Sequence, residues 1–290
     1  MARGRARGLA GARGRCASCN ALRARPWLDG AVTTREHPAG DVDYERHGAG
    51  YAAVRRPDPR IAARVHAALG AARTVLNVGA GAGSYEPADR YVLAVEPSAA
   101  MRAQRPAGAA PAVDATAEHL PFDDDSFDAV MATVTVHQWS DVDRGLREMR
   151  RVSRGPVVVL TFDAPALQQY WFADYFPEVV AAEQLRFPTI ERVTGALARG
   201  SSAVRVDVVP VPWDCTDGFG EAYYGRPEEF LRPDVRAATS GIVLGEPDAV
   251  RRGLDRLASD LAGGAWDRAH GHLREQPERE GALRLVTADA

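Results

Sequence analysis

The chain has 290 residues, 46% hydrophobic and 26% charged, which is enough to bury the core of one large α/β domain with elaborations. A formal net charge of −3 argues against a general nucleic-acid binder, because such proteins carry a basic surface that neutralises phosphates. Every basic side chain is arginine, which excludes Schiff-base and P-loop lysine chemistry, and the three cysteines Cys16, Cys19 and Cys215 are no disulfide framework and fit a reducing, cytoplasmic setting.

In chain order, residues 1–40 read as a disordered arginine-rich tail, with Arg3, Arg5, Arg7, Arg13, Arg15, Arg23 and Arg25 and no apolar stretch of a secretory signal. Cys16 and Cys19 are half of a zinc site without a second pair at ligand spacing, so no metal is expected. A single domain is expected over 41–290, without a membrane span, since no apolar run reaches about 18 residues. Pro57-Asp58-Pro59 starts a helix over 60–69, with Ile61, Val65 and Leu69 on one face and Gly70 closing it. Residues 73–78 form a buried strand that runs into a glycine turn opening a helix. Further strands are expected at 91–95, 112–113, 127–136 and 156–162, with helices at 99–104 and after the cap Asp141, where Leu146, Met149 and Val152 make an apolar stripe.

Strands separated by single helices imply parallel pairing with right-handed crossovers, hence a doubly wound, Rossmann-like α/β fold with a mostly parallel seven-stranded sheet. A helix at 190–197 and strands at 203–211 and 282–287 complete it. Segments 164–189 and 216–280 interrupt the alternation and leave from the carboxyl ends of strands, the ligand edge of open α/β sheets, so they are expected to be helical cap insertions. Their aromatics, among them Trp171 and Tyr224, either line an acceptor site or fasten the caps to the core.

Gly79-Ala80-Gly81-Ala82-Gly83-Ser84 lets backbone amides approach a ligand without a Cβ in the way. A dinucleotide site needs Gly-x-Gly-x-x-Gly, and here the third glycine arrives one residue early, which disfavours a nicotinamide cofactor. Glu96, followed by Pro97 at the tip of the second strand, is placed to accept both ribose hydroxyls. Asp114 and the Ala115 amide, just past the third strand, are placed for adenine.

With these motifs in this order, residues 51–162 resemble a class I S-adenosylmethionine (SAM)-dependent methyltransferase of the methyltransferase type 11 group. The resemblance implies SAM as cofactor and a small-molecule methyl acceptor. It carries the glycine motif to Gly79, Gly81 and Gly83, the ribose acid to Glu96, the adenine contacts to Asp114 and Ala115, and the post-strand motif to Leu120-Pro121-Phe122 and Phe127-Asp128. Two departures stand out. Asn77 occupies a place where the family has an acid, and Arg154-Gly155-Pro156 replaces a Gly-Gly turn.

Methyl transfer from a sulfonium is an in-line displacement that needs positioning and exclusion of water more than a base. If a base exists, His137 at the end of the fourth strand is the candidate, with Thr133 beside it among the cofactor contacts. Trp139 packs against adenine or the acceptor, Asp214 is a further acceptor-binding candidate, and near Tyr51 either Arg55 or Arg56 is placed to pair with the methionine carboxylate. A non-catalytic SAM-binding protein, non-methyl SAM chemistry and an NAD(P)-dependent oxidoreductase remain as alternatives.

Overall fold

The structure is a computed structural model that describes residues 54–198 and 203–290. The arginine-rich tail, Cys16, Cys19 and Tyr51 lie outside the described residues.

Helix α1 spans Pro59–Ala68, with Pro59 at its first position and Asp58 as N-cap accepting the Arg60 amide. It lays Ile61 and Val65 on one face of a seven-stranded sheet. Strand β1, Thr74–Val78, pairs in parallel with β2, Tyr91–Val95, in a register that sets Val78 beside Val95. After α2, Ala99–Ala103, β3 is the two-residue strand Ala112–Val113, and β4 is Ala129–Thr133. Helix α3, Val142–Val152, is capped by Asp141 and delivers the chain to β5, Val157–Phe162.

Caps follow. They comprise α4, Phe172–Tyr175, and α5, Pro177–Arg186, before α6, Ile190–Leu197, and β6, Val204–Val208. Strand β7, Val211–Pro212, leads into α7, Pro233–Ala237, α8, Ser240–Leu244, α9, Pro247–Ala262, and α10, Ala265–His270, and then β8, Glu278–Arg279, and β9, Leu283–Ala288. The sheet order is β3-β2-β1-β4-β5-β9-β6; β1 to β5 pair in parallel, and β9 runs antiparallel between β5 and β6.

The sheet is covered on both faces, as its nearly unbroken apolar strands require. Val75, Met131, Val158 and Leu160 face α1 and the caps, while Leu76, Val78, Val130 and Val159 face α3 and α6 through Leu146, Met149, Val193 and Leu197. The caps carry their own aromatic core. Trp171 meets Phe230, Tyr175 and Trp266 edge-on, and Phe172 stacks on Phe176 at 4.4 Å.

Three local expectations need correction. No helix follows the glycine turn: residues 79–90 are a succession of turns, because Gly79, Gly81, Gly83 and Tyr85 all hold positive φ and interrupt a right-handed helix. The fourth strand stops at Thr133 instead of 136, since Val134 turns to φ 51° and the chain enters a short 3-10 turn, Val136–Gln138. The strand expected at 203–211 is two, because β7 leaves the main sheet to pair with β8.

Candidate functional site

The parallel register of β1 and β2 brings their carboxyl ends together, and the glycine turn is fastened there. The Gly79 and Ala80 amides donate to the Val95 carbonyl at 2.8 and 3.0 Å. The next residue, Glu96, is 5% exposed, and its two carboxylate oxygens accept the Gly81 and Ser98 amides, each at 2.8 Å. Burial pushes the Glu96 carboxyl above its ordinary value, against the opposing pull of those two amides. Each oxygen retains a lone pair, so the pair of them can still accept a vicinal diol.

Gly79 has φ 67°, and a Cβ there would strike the Thr135 side chain. The turn and the segment after β4 are therefore in contact. Thr133 is half-buried at the end of β4, and Pro97 is half-buried after Glu96. Asp114 is exposed, with Oδ2 accepting from Arg102 at 3.2 Å, and Ala115 beside it packs against the core that contains α3. Asn77, fully buried, donates from Nδ2 to Glu86 at 3.0 Å, while its Oδ1 has no hydrogen-bond partner among the described residues. Arg56 is exposed just before α1. A carboxylate for a diol, a left-handed glycine turn without side chains in the way and an orphan buried oxygen fit an adenosyl group that ends in an amino acid.

On the cap side lies a cavity of about 820 Å³, its open mouth included, lined by Arg55, Val134, His137, Phe162, Tyr170, Phe187 and Phe219 together with Ala238 to Gly241. His137 is buried and stacks on Phe187 with 4.2 Å between ring centroids. Its Nδ1 has no hydrogen-bond partner among the described residues. Burial, reinforced by the guanidinium charges of Arg186 and Arg55, holds its pKa well below the ordinary histidine value, so the ring is neutral at physiological pH. Arg55 pairs with Asp217 at 2.5 Å, Glu183 pairs with Arg186, and the carboxylate of Glu221 accepts the Ala282 amide at 2.9 and 3.0 Å.

Of the four expected acceptor-side residues besides His137, none lines this cavity. Trp139 lies on the other face, against Gly145 and Ala117. Trp171 is in the cap core, its indole N–H donating to the Tyr224 carbonyl at 2.8 Å, and Tyr224 is itself fully buried with its hydroxyl on the Gln276 carbonyl. Asp214 is exposed and pairs with Arg60. Arg55, expected with Arg56 at the methionine carboxylate, lines this cavity, and the walls that sequence reasoning missed are Glu183, Phe187, Phe219 and residues 238–241. Phe162 was findable as the last residue of β5, whereas the others carry no local signal.

The post-strand motif has a structural role. Asp128 accepts the Arg73 and Thr74 amides at 2.9 Å and pairs with Arg154, tying the start of β1 to β4 at the edge opposite the glycine turn. Arg151 donates to the Leu120 and Phe122 carbonyls, and Phe122 meets Phe127 edge-on at 5.0 Å. A Cβ at Gly155 would strike the Asp128 carbonyl, so a glycine is required at the centre of Arg154-Gly155-Pro156.

Topology and site together define an α/β protein whose carboxyl edge at β1, β2 and β3 suits an adenosyl ligand. A Methyltransferase domain model matches residues 76–159. A solved structure from Anabaena variabilis, described as a "Putative methyltransferase from antibiotic biosynthesis pathway", is 32% identical with a TM-score of 0.76, covering 81% of this chain and 98% of that one. The ubiquinone/menaquinone biosynthesis C-methyltransferase UbiE of Citrifermentans bemidjiense is 30% identical over 132 residues, 38% of this chain and 54% of that protein. The same enzyme of Hahella chejuensis is 47% identical over 55 residues, 18% of this chain and 22% of that protein. This chain therefore spans about half the length of the first of these two curated relatives and less of the second. The chain belongs to the class I SAM-dependent methyltransferases, with SAM as its cofactor. Among the described residues, no helix is long and apolar enough to cross a membrane.

Proposed function

We propose that this methyltransferase acts on a small, largely apolar acceptor held in the cavity beside His137. The observation that carries the reading is where that cavity opens: on Val134, His137 and Phe162 at the carboxyl ends of β4 and β5. Thr135, which touches the glycine turn, lies between two of those residues. Its lining suits a small ligand, since Val134, Phe162, Leu167, Phe172, Val179 and Phe187 make it largely apolar around a few polar side chains, the composition of small-molecule sites. The names of the similar proteins, a quinone-biosynthesis C-methyltransferase and a protein of an antibiotic pathway, agree with a small product.

Bound SAM supplies a methyl carbon already activated by its sulfonium. Glu96 holds the ribose hydroxyls and Asp114 with the Ala115 amide holds adenine, so the donor is anchored at one end of the edge. The cap residues Tyr170, Phe172, Phe187 and Phe219 orient the acceptor and exclude water. His137, kept neutral by its surroundings, accepts the proton that an acceptor hydroxyl or amine loses as it is methylated.

The test is incubation with methyl-labelled SAM and fractionated cell extract. Label entering a low-mass apolar fraction supports the reading, and label confined to protein or nucleic acid overturns it. His137→Ala should keep affinity for S-adenosylhomocysteine while turnover falls by about 10²-fold; full turnover in that variant removes the base.

A further inference from the structure

Strand β6 ends the sheet on the side away from β3 and is paired with β9 alone. The Asp289 amide donates to the Ala203 carbonyl, and the Val209 amide to the Leu283 carbonyl. Alternation along an antiparallel pair therefore turns the backbone groups of Arg205 and Asp207 towards β9 and those of Val204, Val206 and Val208 outwards. The outward groups have no hydrogen-bond partner among the described residues. Such an edge is a template for a further strand, and proteins usually blunt it with a proline, a bulge or a charge. Here Pro210 falls beyond the strand, and β6 pairs with β9 residue for residue, without a bulge. The charges on it are of opposite sign: Arg205 and Asp207 lie on one face, pair at 2.7 Å along the strand, and are 59% and 43% exposed. On the other face Val206 and Val208 are each 40% exposed.

The order Val204-Arg205-Val206-Asp207-Val208 is complementary to itself. When a second copy runs antiparallel with Val206 opposite Val206, Val204 of each copy faces Val208 of the other, and Arg205 of each faces Asp207 of the other. The outward backbone groups belong to the valines, so the valine pairs exchange hydrogen bonds. Arg205 and Asp207 then take the positions between those bonds, where opposed side chains come closest. Sliding the two strands by two residues keeps the backbone bonds but sets Arg205 against Arg205, or Asp207 against Asp207, which repulsion disfavours, so one register is selected. We propose that this edge is an interface between two copies of the chain, joined β6 to β6 into one continuous sheet. The pairing covers the exposed valines and satisfies the open backbone groups. It leaves the cofactor edge free, since β9 and β5 stand between β6 and β4.

Sedimentation of the full chain over a concentration series provides the test. The parent should be a dimer that dissociates on dilution. Arg205→Asp and Asp207→Arg each confront like charges at both charged positions and should weaken self-association about tenfold or more. An equimolar mixture of these two variants restores opposite charges at both positions and should form a mixed dimer within about threefold of the parent's affinity. Val206→Pro deletes an outward amide that β9 does not use, so each copy keeps its own sheet while the central pair of the interface is lost; it too should weaken the dimer. A circular dichroism spectrum matching the parent's shows that each variant is folded. A parent that stays monomeric at about 100 μM, a concentration that populates even a weak dimer, overturns the proposal. Single variants that associate as tightly as the parent, or a mixture no tighter than its components, overturn it as well.

Discussion

Tyr85, in the glycine-turn connection, donates its hydroxyl to Asp217 Oδ2 at 2.7 Å across 132 residues of chain. Asp217 also holds Arg55 in the cavity wall, so one carboxylate joins the cofactor turn, the segment before α1 and the second cap. Tyr85→Phe should lower unfolding stability by about 1.5–3 kcal/mol, the worth of a hydrogen bond to a charged group. Asp217→Ala should cost more, about 3–5 kcal/mol, because Tyr85 and Arg55 then both lose an ionised acceptor at a buried site. Urea unfolding of the two variants checks the order, and equal midpoints for Tyr85→Phe and the parent would dismiss the bond.

Glu96 holds two backbone amides and is assigned the ribose hydroxyls. Glu96→Ala should weaken S-adenosylhomocysteine by about 100-fold or more, since about 1.5–3 kcal/mol is lost for each charged hydrogen bond. Because burial raises its carboxyl, the folded protein takes up this proton at a higher pH than an ordinary glutamate does. Affinity measured by calorimetry should therefore decline on acidification before pH 4.5 is reached, and a flat profile down to that pH would contradict the ionised role.

His137 contributes a stability term of opposite origin. Its folded pKa is depressed, so below the unfolded value of about 6.5 the unfolded chain binds a proton that the folded chain refuses. Stability falls as pH drops through that value and is unaffected above it. At pH 5 the penalty reaches up to about 2 kcal/mol. His137→Gln should remove that slope, and unfolding curves at pH 5 and 7.5 for both proteins read it directly.

Two glycines give opposite expectations for the same substitution. Gly79→Ala meets both a left-handed backbone and the Thr135 side chain, so loss of cofactor affinity and a stability cost of about 1–2 kcal/mol or more should follow. Gly195, inside α6, has open space at its Cβ, and Gly195→Ala should stabilise by about 0.5–1 kcal/mol. Thermal unfolding of the pair measures the contrast.

Much of the candidate cofactor edge, as an arrangement of strand ends, is legible in the amino-acid order because its contacts are local. Gly79, Gly81 and Gly83 sit at the end of an apolar run, Glu96 ends the next, and parallel pairing of adjacent strands places them side by side. The caps Asp58 and Asp141 and the apolar strands that must be covered on both faces are read in the same way, over a few residues at a time. The acceptor cavity is not. Arg55, Phe162, Phe187, Phe219 and Ser240 meet there only after the caps fold over the sheet, and an aromatic such as Trp171 shows the same local pattern whether it lines a cavity or fills a cap. Nor does local order reveal that Glu86 completes Asn77 or that Tyr85 reaches Asp217, because a buried polar group is satisfied by whatever the packed chain brings within 3 Å, and that is decided by the whole fold.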